Sequence, residues 1–388
     1  MRSLASSLWK RAERLGTEGD IEKSIWHERE ALKLCPSGHP DRLLSLNNLA
    51  SSLYSCFKLS GSAEDLEEVT VLLQESLKLC PSGHPNRPFL LNNLAIALHS
   101  CFKQSDSAGD LEEAIVLHRE ALELRPSGHP YRSQSLNNLA NSLSSHFKLF
   151  TSTDDLEEAI VLQREALELC PSGHPDRSLS LINLANSLHF RFELLASAGD
   201  LEEGIVLQRE ALELCPSGHP DQSWSLTNLA ASLNSRFELL DSLGDLEEAV
   251  VLHREALELC PSGHPDQSLT LYNLAHTLHS LFQASGSVGD LEEAIVFGRE
   301  ALLLRPTGHP RRPDTLRNLR LSLYDLFDAR GTVEDLEEAI SWAEEELVLY
   351  PPDSSKHGEL EDNILFYKEE LADFEVTDMW DPGLSSDE

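Results

Sequence analysis

The sequence predicts an all-α fold, a solenoid of stacked helical hairpins, on three observations. A Gly-His-Pro triplet returns at Gly38, Gly83, Gly128, Gly173, Gly218, Gly263 and Gly308, each step 45 residues with no insertion or deletion. Between triplets, apolar residues recur at helical spacing in two separate runs. Pro and Gly stand together after the second run, where a helix must stop. An array this regular is one supersecondary unit stacked on itself, each copy burying its apolar face against its neighbours. The 388 residues therefore read as one elongated array and not as two or three globules.

The register sets the boundaries. A truncated repeat occupies 1–40, and seven repeats of 45 residues follow at 41–85, 86–130, 131–175, 176–220, 221–265, 266–310 and 311–355. LASSL at Leu4 to Leu8 repeats LASSL at Leu49 to Leu53, so Met1 aligns with Leu46 and the first hairpin lacks its opening turn. Either the chain starts inside a longer array or the first unit is abbreviated. At the far end the triplet decays to Asp353-Ser354-Ser355, and a charged amphipathic stretch over 356–374 predicts a capping helix that closes the core on one side and meets water on the other. The last residues, 375–388 (EVTDMWDPGLSSDE), are too polar to pack and predict a disordered acidic tail.

Within the unit Tyr131 to Pro175, the second half reads DDLEEAIVLQREALELCP. Asp155 and Glu158 have the spacing of a capping box, the first accepting from first-turn amides and the second reaching back. Leu156, Ala159, Ile160, Ala166 and Leu167 recur at helical spacing, and Pro171 and Gly173 end the run. His174 then stands where a cap would go, with Pro175 suited to the first turn of the next helix. That helix carries Leu181, Leu184, Leu188 and Phe192 on one side. Each unit is a longer helix A followed by a shorter helix B.

LEEAIVLHREALELRP at Leu111 to Pro126 resembles the second helix of a tetratricopeptide repeat, with Ala114, Ala121 and Pro126 in the family's small and closing positions. The phrase GHPDR…LNNLA is similar to the repeats of kinesin light chains, and ALELxPSGHPDRSxSLNNLA to fungal arrays that precede a caspase-like CHAT domain. The resemblance runs from Met1 to about Pro352 and departs in period, 45 residues against the family's usual 34. It implies a right-handed superhelical solenoid whose A helices line an inner, concave groove.

On a helical wheel at about 100° per residue, Leu46, Leu49, Ala50, Leu53 and Phe57 cluster on one side of helix A, and Leu44, Asn48, Ser51 and Ser55 lie opposite. Down the array, the Asn48 position is Asn again at Asn93, Asn138, Asn183, Asn228, Asn273 and Asn318. A helix interior disfavours Asn, and a buried amide must satisfy several hydrogen bonds. Two readings stand: the amides tie adjacent repeats together, or they form a ladder that pairs with the main chain of an extended peptide. The second is what the resemblance to kinesin light chains and to O-linked N-acetylglucosamine transferase implies. The Leu44 position reads Leu44, Phe89, Gln134, Leu179, Trp224, Leu269 and Asp314. Exposed apolar residues in a row mark an interaction surface, unless they staple the helix start to the previous unit.

Charge separates the two helices. Asp154 to Cys170 carries six acids and one Arg, whereas Tyr131 to Thr151 carries no acid, so helix B supplies the acid as a solvated face. The groove is expected to be near neutral, with positive spots at Arg191, Arg236, Lys58, Lys103 and Lys148. A net charge of −35 argues against nucleic acid and anionic membrane as partners, and no apolar run approaches the roughly 18 residues of a membrane span. Five of the seven Cys (Cys35, Cys80, Cys170, Cys215 and Cys260) share one repeat position with Arg125 and Arg305. A disulfide framework would not exchange Cys for Arg, so they read as reduced thiols of a cytoplasmic or nuclear protein. Successive Cys/His turns stand on the order of 10 Å apart, too far to share a zinc ion, so no metal and no cofactor is expected. No nucleophile is paired with a base in one cleft, so no catalytic residue is expected either.

The reading is a non-catalytic scaffold that holds an extended peptide or protein segment in its groove. The alternatives are a regulatory arm of a caspase-like protease or signalling ATPase whose effector lies elsewhere, and a structural spacer. Trp380, set between Asp378 and Asp381, is similar to the Trp-acidic peptides that kinesin light chain grooves bind, which implies a tail able to occupy its own groove or that of a second copy.

Overall fold

The computed structural model describes residues 7–9, 11, 18–215, 222–261, 263–264 and 266–379. Among them every regular element is helical, and long and short helices alternate in every repeat. Helix A runs over Arg42–Ser60, Arg87–Ser105, Arg132–Phe150, Arg177–Leu195, Gln222–Leu240, Gln267–Ser285 and Arg312–Arg330. Helix B runs over Glu18–Lys33, Ala63–Lys78, Ala108–Glu123, Thr153–Glu168, Ala198–Glu213, Leu243–Glu258, Val288–Leu303 and Val333–Leu347. A last helix spans Ser355–Met379, so its backbone continues five residues into the stretch expected to be tail. Residues 380–388, including Trp380, lie outside the described residues.

The chain divides into two compact units, Met1–Arg191 and Phe192–Glu388. In the first, Leu46, Leu49, Ala50 and Leu53 are at most 2% exposed and share one core with Leu66 and Leu73 of the following helix B and Leu91 and Leu94 of the next helix A. In the second, Leu226, Leu229, Ala230 and Leu233 pack with Leu201, Ile205, Ala249 and Ala256. These are the wheel positions that the sequence predicts to face inward, and burying them is what drives helix against helix.

The links between hairpins repeat as strictly as the core. Gly173 takes φ +85° in the turn after helix B, a left-handed conformation that Gly adopts without a steric cost. His174 Nδ1 then accepts the amide of Asp176, the residue before helix A, at 3.1 Å, and His39, His84, His129, His264 and His309 do the same in their own turns. The Arg that opens helix A clamps the joint. Arg42 donates to the Cys35 carbonyl at 2.8 Å and to Glu75 at 2.6 Å, and Arg87, Arg132 and Arg312 reach the matching carbonyl and Glu. The shared Cys/Arg position is a buried slot met by a hydroxyl ten residues on. Ser45 reaches Cys35 Sγ at 3.6 Å, while the longer Arg125 and Arg305 donate to Ser135 and Thr315 at 2.6 Å. Both thiol and guanidinium fit because each offers that hydroxyl a partner.

Two expectations for helix B need correction. The helix starts at Thr153 with Ser152 at its N-cap, so Asp155 and Glu158 form no capping box. Asp155 instead accepts from His146 at 2.7 Å, and Glu158 pairs with Arg119 of the preceding helix B at 2.6 Å. The acids of helix B are accordingly more than a solvated face: Arg29–Glu68, Arg209–Glu248, Arg254–Glu293 and Arg299–Glu338 repeat the same contact between neighbouring repeats. Partly exposed pairs of this kind contribute about 0.2–1 kcal/mol each. Sequence spacing within one helix hides them because the partner lies 39 residues away.

Candidate interaction surface

Helix A presents its second face away from the core. Leu44, Phe89, Leu179 and Trp224 are all exposed, between 41% and 52%, while Leu269 is half-buried. Gln134 and Asp314, at the same repeat position, are exposed as well. Leu44 and Phe89 also wall a cavity of about 390 Å³ in the first unit, together with Glu28, Asn47, Asn48, Ser51, Asn86 and Trp9. A second cavity of about 340 Å³ follows along the same helices, lined by Tyr54, Lys58, Asn93, Ile96 and Gln134 and sharing Trp9, Ser51 and Phe89 with the first. The two form a stepped trough, amide-rich at one end and apolar with one cation at the other. Concave sites with few polar groups on apolar walls suit small ligands or side chains of a larger one.

Trp9 is the residue that sequence reasoning missed here. Its Nε1 donates to Ser55 at 2.9 Å, 46 residues on, which buries the Ser55 hydroxyl that the wheel leaves on the open face. Tyr54 bonds Ser100 and His99 bonds Ser145 with the same offset, and His279–Asp325 and Tyr324–Glu370 repeat it in the second unit. The signal lay in the LASSL register, which places Trp9 on the Tyr54 position.

The asparagine column does not behave uniformly. Asn93 donates to Asn47 Oδ1 at 3.2 Å, and Asn138 to Asn92 Oδ1 at 3.0 Å. These amides tie one repeat to the next, while Asn48 is half-buried in the cavity wall. At Asn183 and Asn228 the Nδ2 donor is buried without a hydrogen-bond partner. Asn183 is 8% exposed and Asn318 6%, with Asn228 and Asn273 half-buried. The acceptor is the residue before the column, which reads Asn47, Asn92 and Asn137, then Ile182, Thr227, Tyr272 and Arg317. Even Asn137 turns away, donating to Ser180 at 2.9 Å with its own Oδ1 unmet.

Arg191 and Arg236 are engaged rather than open. Arg191 pairs with Glu157 at 2.9 Å, and Arg236 with Asp245 at 2.6 Å and Glu202 at 3.1 Å, which raises its already high pKa further. Both guanidinium groups therefore join the end of helix A to helix B acids. Lys58, Lys103 and Lys148 are exposed at one repeat position. Lys148 sits over the Phe190 ring at 4.1 Å. Lys58 and Lys103 have no ion pair among the described residues, although acids outnumber Lys and Arg 66 to 31 in the chain. The same position then reads Glu193, Glu238, Gln283 and Asp328, so its charge reverses along the array. Among the described residues no three His, Cys, Asp or Glu come together to hold a metal ion, and no Cys is in a disulfide. No helix of the described residues is long and apolar enough to cross a membrane.

Residues 42–86, 90–131, 132–176 and 223–266 match the tetratricopeptide repeat family. Among solved structures, the chain is similar to human IFIT1, solved as a dimer with PPP-AAAA (14% identity, 92% of this chain and 69% of that one, TM-score 0.54). It is also similar to a signal transduction ATPase with numerous domains (STAND) that has a tetratricopeptide repeat sensor, from Pyrococcus horikoshii (14% identity, 93% of this chain and 50% of that one, TM-score 0.53). A putative kinesin light chain with nearly identical TPR-like repeats from Podosopora anserina is 21% identical over 57% of this chain and 96% of its own, with a TM-score of 0.42. No curated protein sequence matches. The four matched stretches are tetratricopeptide repeats, and the alternating helical hairpins of the described residues form a repeat array of that kind.

Proposed function

We propose that the chain is a non-catalytic scaffold that binds an extended peptide or protein segment along the open face of its A helices, in the cytoplasm or nucleus. The observation that carries this reading is the stepped trough of the first unit, which gathers Leu44, Asn48, Phe89 and Asn93 from successive repeats. Asn48 offers an amide for main-chain pairing, Trp9 and Phe89 offer walls for a large side chain, and Lys58 offers an unpaired cation beyond them. A ligand whose acidic group reaches Lys58 or Lys103 would suit the first unit, whereas Glu238 and Asp328 would disfavour it in the second. The array's own excess of acid disfavours nucleic acid throughout.

The alternative is a sensor arm serving a signalling ATPase. It draws on the repeat sensor named for the Pyrococcus protein, of which this chain spans 50%. Isothermal titration of the full chain with segments selected from a displayed peptide library tests the scaffold reading. Phe89→Ala and Asn48→Ala should each weaken binding about fivefold to thirtyfold while leaving the helical signal unchanged, the loss expected for one wall or one hydrogen bond. Selected segments that bind both variants as tightly as wild type would place the site elsewhere.

A further inference from the structure

Two features of the first unit's trough bear on the shape of what it holds. Its walls are aromatic: Trp9 and Phe89 border both cavities, and Tyr54 joins them in the second. Its cations recur with the repeat. Lys58 stands at the wall of the second cavity, and Lys103 occupies the same position one repeat on, both exposed. The A helices that carry them touch directly, since Tyr54 bonds Ser100 at 3.0 Å and Asn93 donates to Asn47 at 3.2 Å. Helices in such contact have axes about 8–10 Å apart, so a segment that crosses them meets one Lys per step of that length.

Backbone geometry decides which conformation matches that step. A β-strand turns a side chain to the same face every second residue, at about 6.6 Å and then about 13 Å, and misses the step both times. A polyproline II helix turns one to the same face every third residue, at about 9.3 Å, and matches it. That helix has no hydrogen bonds of its own, so its carbonyls are open to an amide such as Asn48 in the first cavity. Aromatic walls are what the rings of a proline-rich segment pack against. Resting on the scaffold reading above, we propose that the trough holds a proline-rich segment in the polyproline II conformation. Its acidic residues fall three apart, one meeting Lys58 and the next Lys103. The register ends one repeat further on, where Lys148 already sits over the Phe190 ring at 4.1 Å.

Isothermal titration of the full chain at low salt tests this with two synthetic peptides of the same composition, capped at both ends. One repeats the triplet Pro-Pro-Glu, and the other groups the same Glu in adjacent pairs. Both adopt polyproline II, with circular dichroism as the check. The triplet peptide should bind about threefold tighter, the gain of one exposed ion pair, and Lys103→Gln should abolish the difference. Gln283 fills that position in a later repeat, so the variant keeps its fold. Equal affinity of the two peptides for wild type, or a preference that survives Lys103→Gln, overturns the proposal. So does failure of the triplet peptide to displace library-selected segments that themselves lose affinity on Phe89→Ala, a result that leaves the scaffold reading standing. Should no selected segment bind in the trough, both readings fall.

Discussion

The A helices of the two units are written in nearly the same words and present different surfaces. In the first unit Asn93 and Asn138 are spent on rungs to Asn47 and Asn92, and Lys58 and Lys103 stand at the edge with no ion pair among the described residues. In the second, Asn228 keeps a buried donor without a partner, and the edge carries Glu238 and Asp328. The difference teaches that a repeated residue has no fixed role. Asn93 and Asn138 find an acceptor while the buried donors of Asn183 and Asn228 find none among the described residues, and whether an edge attracts or repels acid depends on a position outside the repeated phrase.

Acid should produce the largest effect, and the same one in both units. His118 in the first unit and His253 in the second share a buried helix B position, and burial holds both pKa values down to about 3, against an ordinary 6.5. Both stay neutral when folded and gain a proton when unfolded, so the unfolded state binds more protons below pH 6.5. Stability is complete above about pH 6.5 and falls toward pH 3, by on the order of 1.4 kcal/mol per pH unit for each His. Gln163 and Gln208 occupy the same position in other repeats, so His118→Gln should flatten the acid limb of the first unit alone and His253→Gln that of the second. Urea melts at pH 7 and pH 5 measure it; equal acid sensitivity with and without both His would contradict the assignment.

The amide rungs come next. Asn92→Ala strips the acceptor from Asn138 and should cost about 1–2 kcal/mol, because a half-buried donor is left unmet. Asn228→Ala removes a donor that is already unmet and should be neutral or slightly stabilising. Equal costs at the two sites, by chemical denaturation, would erase the distinction between tie and open amide. The smallest effect concerns the turn between helices A and B. Thr151 in the first unit and Ala196 in the second adopt φ +54° and +51°, where other repeats place Gly61 or Gly331. Changing either to Gly should stabilise by about 0.5–1 kcal/mol, the relief of left-handed strain less the added chain entropy, and a lowered melting midpoint would refute it.

Much of the fold was legible because it rests on local pattern. The 45-residue period, the hairpin and the inward faces of Leu46, Leu49 and Leu53 follow from periodicity and burial alone. The contacts that failed to show are those between repeats. DLEE has capping-box spacing, yet Glu158 answers Arg119 and Asp155 answers His146. Arg191 and Arg236 read as open cations until Glu157 and Asp245 were placed beside them. In the asparagine column the ties of Asn93 to Asn47 and of Asn138 to Asn92 were not legible, because the acceptor lies 46 residues away.

The central claim is that the trough of the first unit holds an extended segment whose charge is read at Lys58 and Lys103. The direct measurement is titration of library-selected segments into the full chain and into the double variant Lys58→Glu with Lys103→Glu, both exposed positions whose reversal copies what Glu238 supplies in the second unit. The account predicts that wild type selects acid-bearing segments and that the variant loses about tenfold or more of that affinity, with the loss shrinking as salt rises. Segments that carry no acid, or that bind the variant and wild type alike at low salt, would contradict it.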